Sequence, residues 1–106
     1  MTIRTTRFDA TEYLDTVARQ AAYITAAFET GDPAFVRDAL GVVARARSMA
    51  EIAKTAELNR ESLYKAFGET GNPEFSTVMR VLDALGLTLS ARPARTKRTP
   101  KKRRAA

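Results

Sequence analysis

Residues 56–67, AELNRESLYKAF, decide how this chain is read, because they stop one apolar-punctuated run and restart another at once. Upstream, Ser48-Met-Ala-Glu51 has the form of a capping box, with Ser48 accepting from the third amide and Glu51 reaching back. That box opens a helix at Met49 that ends near Ala56. Asn59 is then placed to cap a second short helix, RESLYKAF, whose Leu63, Ala66 and Phe67 fall on one inward face. Both runs are too short to be stable helices alone. Two short helices joined by a tight turn, at roughly 100 degrees to one another, form a helix-turn-helix, which projects its second member into a DNA major groove.

The spacing can be followed position by position from Met49. Ile52 is the apolar fourth residue and Ala53 the small fifth, where the two helices approach too closely for a larger side chain. Ala56 is the eighth, Leu58 the apolar tenth in the turn, and Leu63 and Ala66 the inward fifteenth and eighteenth. Glu57 departs from the pattern. Glycine is usual there, because the turn often needs a positive φ that a residue with a β-carbon adopts at some cost.

Turn signals cut the rest of the body into further helices, giving an all-α, five-helix chain. Asp9 caps a first helix over residues 10–29, in which Tyr13, Leu14, Val17, Ala21, Ile24, Ala27 and Phe28 keep helical spacing and Gly31 supplies the C-terminal stop. Asp32 caps a second, with Pro33 at its first position and Val36, Leu40, Val43 and Ala44 as its apolar stripe to about Ala46. Asn72 and Pro73 begin the fifth, with Phe75, Val78, Leu82 and Leu85 inward and Gly86 ending it. Residues 87–91 alternate and read as a short edge strand or an extended exit. The expected division is an N-terminal extension and helix over 1–31, a helix-turn-helix domain over 32–91, and a tail over 92–106.

Charge separates that tail from the body. Of 18 Lys and Arg, eight lie from Arg92 onward with no acidic residue among them, which leaves ten against twelve Asp and Glu in residues 1–91, a net of −2. With Pro93, Pro100 and almost no apolar content, the tail is expected to be disordered. It attracts phosphate backbones without reading sequence, or it serves only as a solubilising extension.

Composition also narrows the function. The chain has no Cys and no His, which removes disulfides, thiolate metal sites, the commonest general base and the commonest metal ligand. No carboxylate pair stands at catalytic spacing, and the glycines of GETG lack the Lys and Ser or Thr of a phosphate-binding loop. An enzyme is not expected, nor is any cofactor or metal. There is no apolar leader and no uncharged run of about 18 residues, so the expected location is the cytoplasm, with no membrane role.

Residues at the leading end of a recognition helix reach base edges, so Arg60, Glu61 and Ser62 are the first candidates for reading sequence. Arg60 suits guanine O6 and N7, and Glu61 suits a cytosine amino group, though its charge repels phosphates. Tyr64 and Lys65 suit a base edge or the backbone, Asn59 caps the helix, and the amides at Ser48-Met49 and Asn72 suit phosphates. Bland readings stand beside these. Arg60, Glu61 and Lys65 equally describe a solvated face, Tyr64 a packing or dimer contact, and Asn72 a turn residue. Tyr13, Tyr23, Phe28 and Phe35 read as core or interface, with the first helix either packed on the core or extended into a partner.

From Asp32 to Pro93, DPAFVRDALGVVARARSMAEIAKTAELNRESLYKAFGETGNPEFSTVMRVLDALGLTLSARP resembles the addiction-module antidote proteins, antitoxins with a lambda-repressor-like, Cro-type helix-turn-helix domain. FDATEYLDT is similar to that family's opening, and RESLYKAF followed by GNPEFSTVMRVLDALGL carries the most specific part. The resemblance implies the antitoxin of a type II toxin-antitoxin module. Such a protein neutralises a small toxin of the RelE or HigB type and, as a homodimer, represses its own operon by binding double-stranded operator DNA. The residues alone fit two other readings, a stand-alone repressor without a toxin and a nonspecific nucleic-acid binder acting through its tail.

Overall fold

The computed structural model describes residues 14–94, which contain five helices and no strand. The first, α1, runs Val17–Glu29, later than the expected start at Ala10; Asp9 and Tyr13 lie outside the described residues. Thr16 is its cap, accepting from the Arg19 amide at 3.1 Å. Leu14 is buried in the core, and its carbonyl accepts from Gln20 Nε2 at 3.0 Å, so residues 14–16 cross over the helix start instead of extending it. At the other end Gly31, at φ 72°, makes the stop that the sequence predicts.

Helix α2, Pro33–Arg47, begins as expected, with Asp32 accepting from the Ala34 amide at 3.0 Å and proline in the first turn. Its Leu40, Val43 and Ala44 are completely buried. Ser48 then ends α2 and opens α3, Met49–Ala56. Only half of the expected capping box forms. The Ser48 hydroxyl accepts from the Glu51 amide at 3.2 Å, but the Ser48 amide already donates to Ala44 O at 2.8 Å, which leaves Glu51 nothing to reach back to.

Helix α4, Arg60–Ala66, and helix α5, Phe75–Ala84, complete the set. The fifth starts later than Asn72-Pro73. Gly71 O is held by Arg37 Nη1 at 3.1 Å, and the chain runs without regular structure to Glu74, which is the cap but contributes no side-chain bond. Phe75, expected inward, is instead 69% exposed, while Val81, Leu82 and Leu85 enter the core. Gly86, at φ 80°, closes α5. Beyond it, residues 87–94 have no regular structure and form no strand: Leu87 and Leu89 lie against the core, and Arg92 pairs with Glu29 at 2.8 Å. The tail from Arg95 on lies outside the described residues.

One core unites the helices. Leu14, Ile24, Leu40, Val43, Met49, Ile52, Leu63, Phe67, Val81, Leu82 and Leu85 form a single buried cluster, with Tyr23, Phe28, Val36 and Val78 packed on its edge. Phe35 does not join it and is half exposed. A polar bridge crosses the same centre. Arg47 Nη1 donates to Gln20 Oε1 at 2.8 Å and to Leu85 O at 3.1 Å, which ties α1, the end of α2 and the end of α5 through two groups that would otherwise be buried without partners.

Candidate functional site

The candidate site is built on the junction of α3 and α4. At the end of α3, Glu57 takes the left-handed conformation, φ 59° and ψ 46°, that the sequence pattern reserves for glycine. Its amide donates to Lys54 O at 3.1 Å, and the Leu58 amide donates to Ala53 O at 2.8 Å. These two bonds make a Schellman stop, completed by Leu58 packing on the core. Asn59 then returns to extended backbone, and its Oδ1 accepts from the Ser62 amide at 3.0 Å, so α4 starts soon after α3 has stopped.

That short junction fixes which way α4 faces. Leu63 is 1% exposed and Phe67, just past the helix end, is equally sealed, while Ile52, Ala53 and Ala56 of α3 fill the space behind. Asn59, Arg60, Glu61, Ser62, Tyr64 and Lys65 are all exposed. The Arg60 guanidinium carbon lies 5.9 Å from the centre of the Tyr64 ring, at the outer reach of a cation–π contact one helical turn away. Asn59, Arg60, Glu61 and Tyr64 border one open hollow. The arrangement offers a guanidinium, a carboxylate, a hydroxyl and a phenol from one rigid helix end, with no apolar side chain between them.

The other sequence candidates sit elsewhere. Met49 has its side chain in the core, 4% exposed, so only its backbone faces outward chemistry. Ser48 is half-buried, and its amide is already used by Ala44 O. Asn72 does not start a helix, so no helix dipole stands behind its amide.

Three positioning groups escape a reading of the sequence. Gly71 lies so close beneath the end of α4 that a β-carbon there would collide with the carbonyl oxygens of Lys65 and Ala66. Arg37 holds Gly71 in that place from α2, and Arg80 of α5 reaches Glu57 O at 3.5 Å. The two arginine bonds join residues 34 and 23 positions apart, so no local pattern marks them. Among the described residues no group of acidic side chains could hold a metal ion, and no helix is long and apolar enough to cross a membrane.

Comparison with known proteins adds the family. A family model described as probable addiction module antidote protein matches residues 4–93. A protein of Haemophilus influenzae, described as uncharacterized, is 39% identical over 95 residues, which cover 90% of this chain and 98% of that protein. No solved structure matches the chain. The family match takes in all five helices and the junction between α3 and α4, and the chain therefore belongs to the probable addiction module antidote family.

Proposed function

We propose that this protein is the antitoxin of a type II toxin-antitoxin module, that it binds and neutralises a small toxin resembling the RelE or HigB type, and that it represses its own operon by binding operator DNA as a homodimer. The family supports the antidote role and, with it, a toxin partner. The single observation that supports DNA reading is the α3–α4 junction. Arg60, Glu61 and Ser62 stand exposed at the leading turn of α4, while Leu63 is 1% exposed behind them. In this reading α3 and α4 are a helix-turn-helix within a lambda-repressor-like domain over residues 32–91, and α1 belongs to the N-terminal extension.

Roles follow from side-chain chemistry. Arg60 reads guanine by a bidentate bond and Glu61 accepts from a cytosine amine. Ser62 and Tyr64 meet a base edge or a phosphate, Lys65 meets the backbone, and Asn59 keeps the helix end rigid. The Met49 amide at the start of α3 is the remaining phosphate contact. Catalysis has no part in this reading.

Co-expression with the neighbouring small reading frame tests it. The expected result is a stable complex, relief of the neighbour's toxicity, and binding of both free protein and complex to their shared promoter. A neighbour that is harmless alone and does not co-purify would refute the antitoxin role.

A further inference from the structure

The end of α1, the first half of α2 and the start of α5 border an apolar groove of about 530 Å³. Phe28, Pro33, Val36 and Leu40 line it from α1 and α2, Pro73 and Val78 from α5 and the segment before it. Phe75 lines it too, yet is 69% exposed. Met79, one helical turn along and 41% exposed, continues the same side of α5. An exposed phenylalanine alone is ordinary. One on the lip of an apolar groove pairs an anchor with a pocket, as the centres of binding surfaces do.

Charge says what kind of occupant fits. Four exposed carboxylates, Glu29, Asp32, Asp38 and Glu74, stand next in sequence to lining residues. Arg92 pairs with Glu29 and Arg37 with Asp38, both at 2.8 Å, so these four carboxylates against two guanidinium groups give the rim a net of −2. Such a rim repels phosphates, which argues against nucleic acid. The chain's own basic run has the right charge, but from Arg95 on its only non-polar residues are Ala and Pro, too small to fill the groove. A small molecule finds few anchors, because Arg37 and Asn72 are the polar side chains of the lining and Arg37 is already committed to Asp38 and Gly71 O. What fits is a protein segment that presents a large apolar side chain flanked by Lys or Arg.

The antidote family brings a toxin partner with it. We propose that this groove, with Phe75 as its anchor, is where the protein receives that toxin, through a cationic segment with an apolar tip. The proposal rests on the antitoxin reading and names the surface which that reading leaves open. The groove shares no lining residue with the hollow at Arg60 and Tyr64, so toxin and operator take separate parts of the surface.

Titration of the full chain with the purified product of the neighbouring small reading frame tests it. Phe75→Ala should weaken that binding by about thirtyfold or more, the loss of a hot-spot aromatic. Phe35→Ala is the control, since Phe35 is also an exposed phenylalanine but does not line the groove, and it should bind like wild type. Glu74→Lys should weaken binding several-fold, with a gap from wild type that narrows as salt rises. All three variants should keep wild-type affinity for the promoter, which shows that they fold.

Toxin binding as tight in Phe75→Ala as in wild type, or an equal loss in Phe35→Ala, would overturn the proposal and leave the antitoxin reading standing. Phe75→Ala that abolishes dimerisation while toxin binding holds would assign the groove to a second copy and overturn it as well. A neighbour's product that does not bind the wild type would sink the antitoxin reading itself and the proposal with it.

Discussion

Glu57 and Gly86 end α3 and α5 with the same pair of backbone bonds, and only one of them is a glycine. A residue with a β-carbon loses roughly 1–2 kcal/mol in the left-handed region, partly offset because glycine costs about 0.5–1 kcal/mol more to order. Glu57→Gly should therefore stabilise the protein by up to about 1 kcal/mol in urea unfolding, and a clear loss would contradict the assigned conformation. Ser48 gives a complementary case at φ 134°, where its hydroxyl caps α3 while its backbone is strained. Ser48→Ala keeps the strain and loses the cap, at a cost of about 1 kcal/mol. Ser48→Gly relieves the strain and should lose only a few tenths. The positive φ at Glu57 is legible from spacing alone. The one at Ser48 is not, because it arises from α2 and α3 meeting at a single residue, with the Ser48 amide claimed by Ala44 O.

At the scale of elements, α4 is seven residues long and depends on what it is seated against. Leu63→Ala should destabilise by about 2–5 kcal/mol, since the leucine is fully enclosed by the core cluster. Gly71→Ala tests the seat from below. Its β-carbon would push into the carbonyls that end α4, with a loss of roughly 2 kcal/mol or more in thermal or urea unfolding, whereas a neutral outcome would mean that the loop does not brace the helix. The caps and inward residues of α2, α3 and α4 are readable because they follow from local chemistry: a side-chain oxygen two or three residues before an amide, or apolar residues at helical spacing. The starts of α1 and α5 depart from expectation for a common reason. Leu14 is drawn into the core ahead of α1, and Gly71 is held by Arg37 although Asn72 next to it has a good capping side chain, so these distant ties set where each helix begins.

On the scale of the whole molecule, Arg47 links three helices through Gln20 and Leu85 O. Replacing it with methionine, similar in reach but without donors, should cost about 1–3 kcal/mol, because Gln20 Oε1 and the Leu85 carbonyl lose their partner inside the protein. The run from Arg92 onward carries eight Lys and Arg and no acidic residue. If it neutralises phosphates, truncation after Ala91 should flatten the slope of log affinity against log salt by about 0.9 for each phosphate it no longer reaches, while a preference for one promoter site survives through α4. Operator sequence and toxin surface are not written in local patterns, since both depend on the partner's shape. The central claim is that the leading turn of α4 reads base edges, and the most direct test compares Arg60→Ala with wild type on the protein's own promoter and on a scrambled duplex at one salt concentration. The account predicts a loss of about 1–3 kcal/mol on the promoter and a much smaller loss on the scrambled duplex. Equal losses on both, or no loss at all, would contradict it.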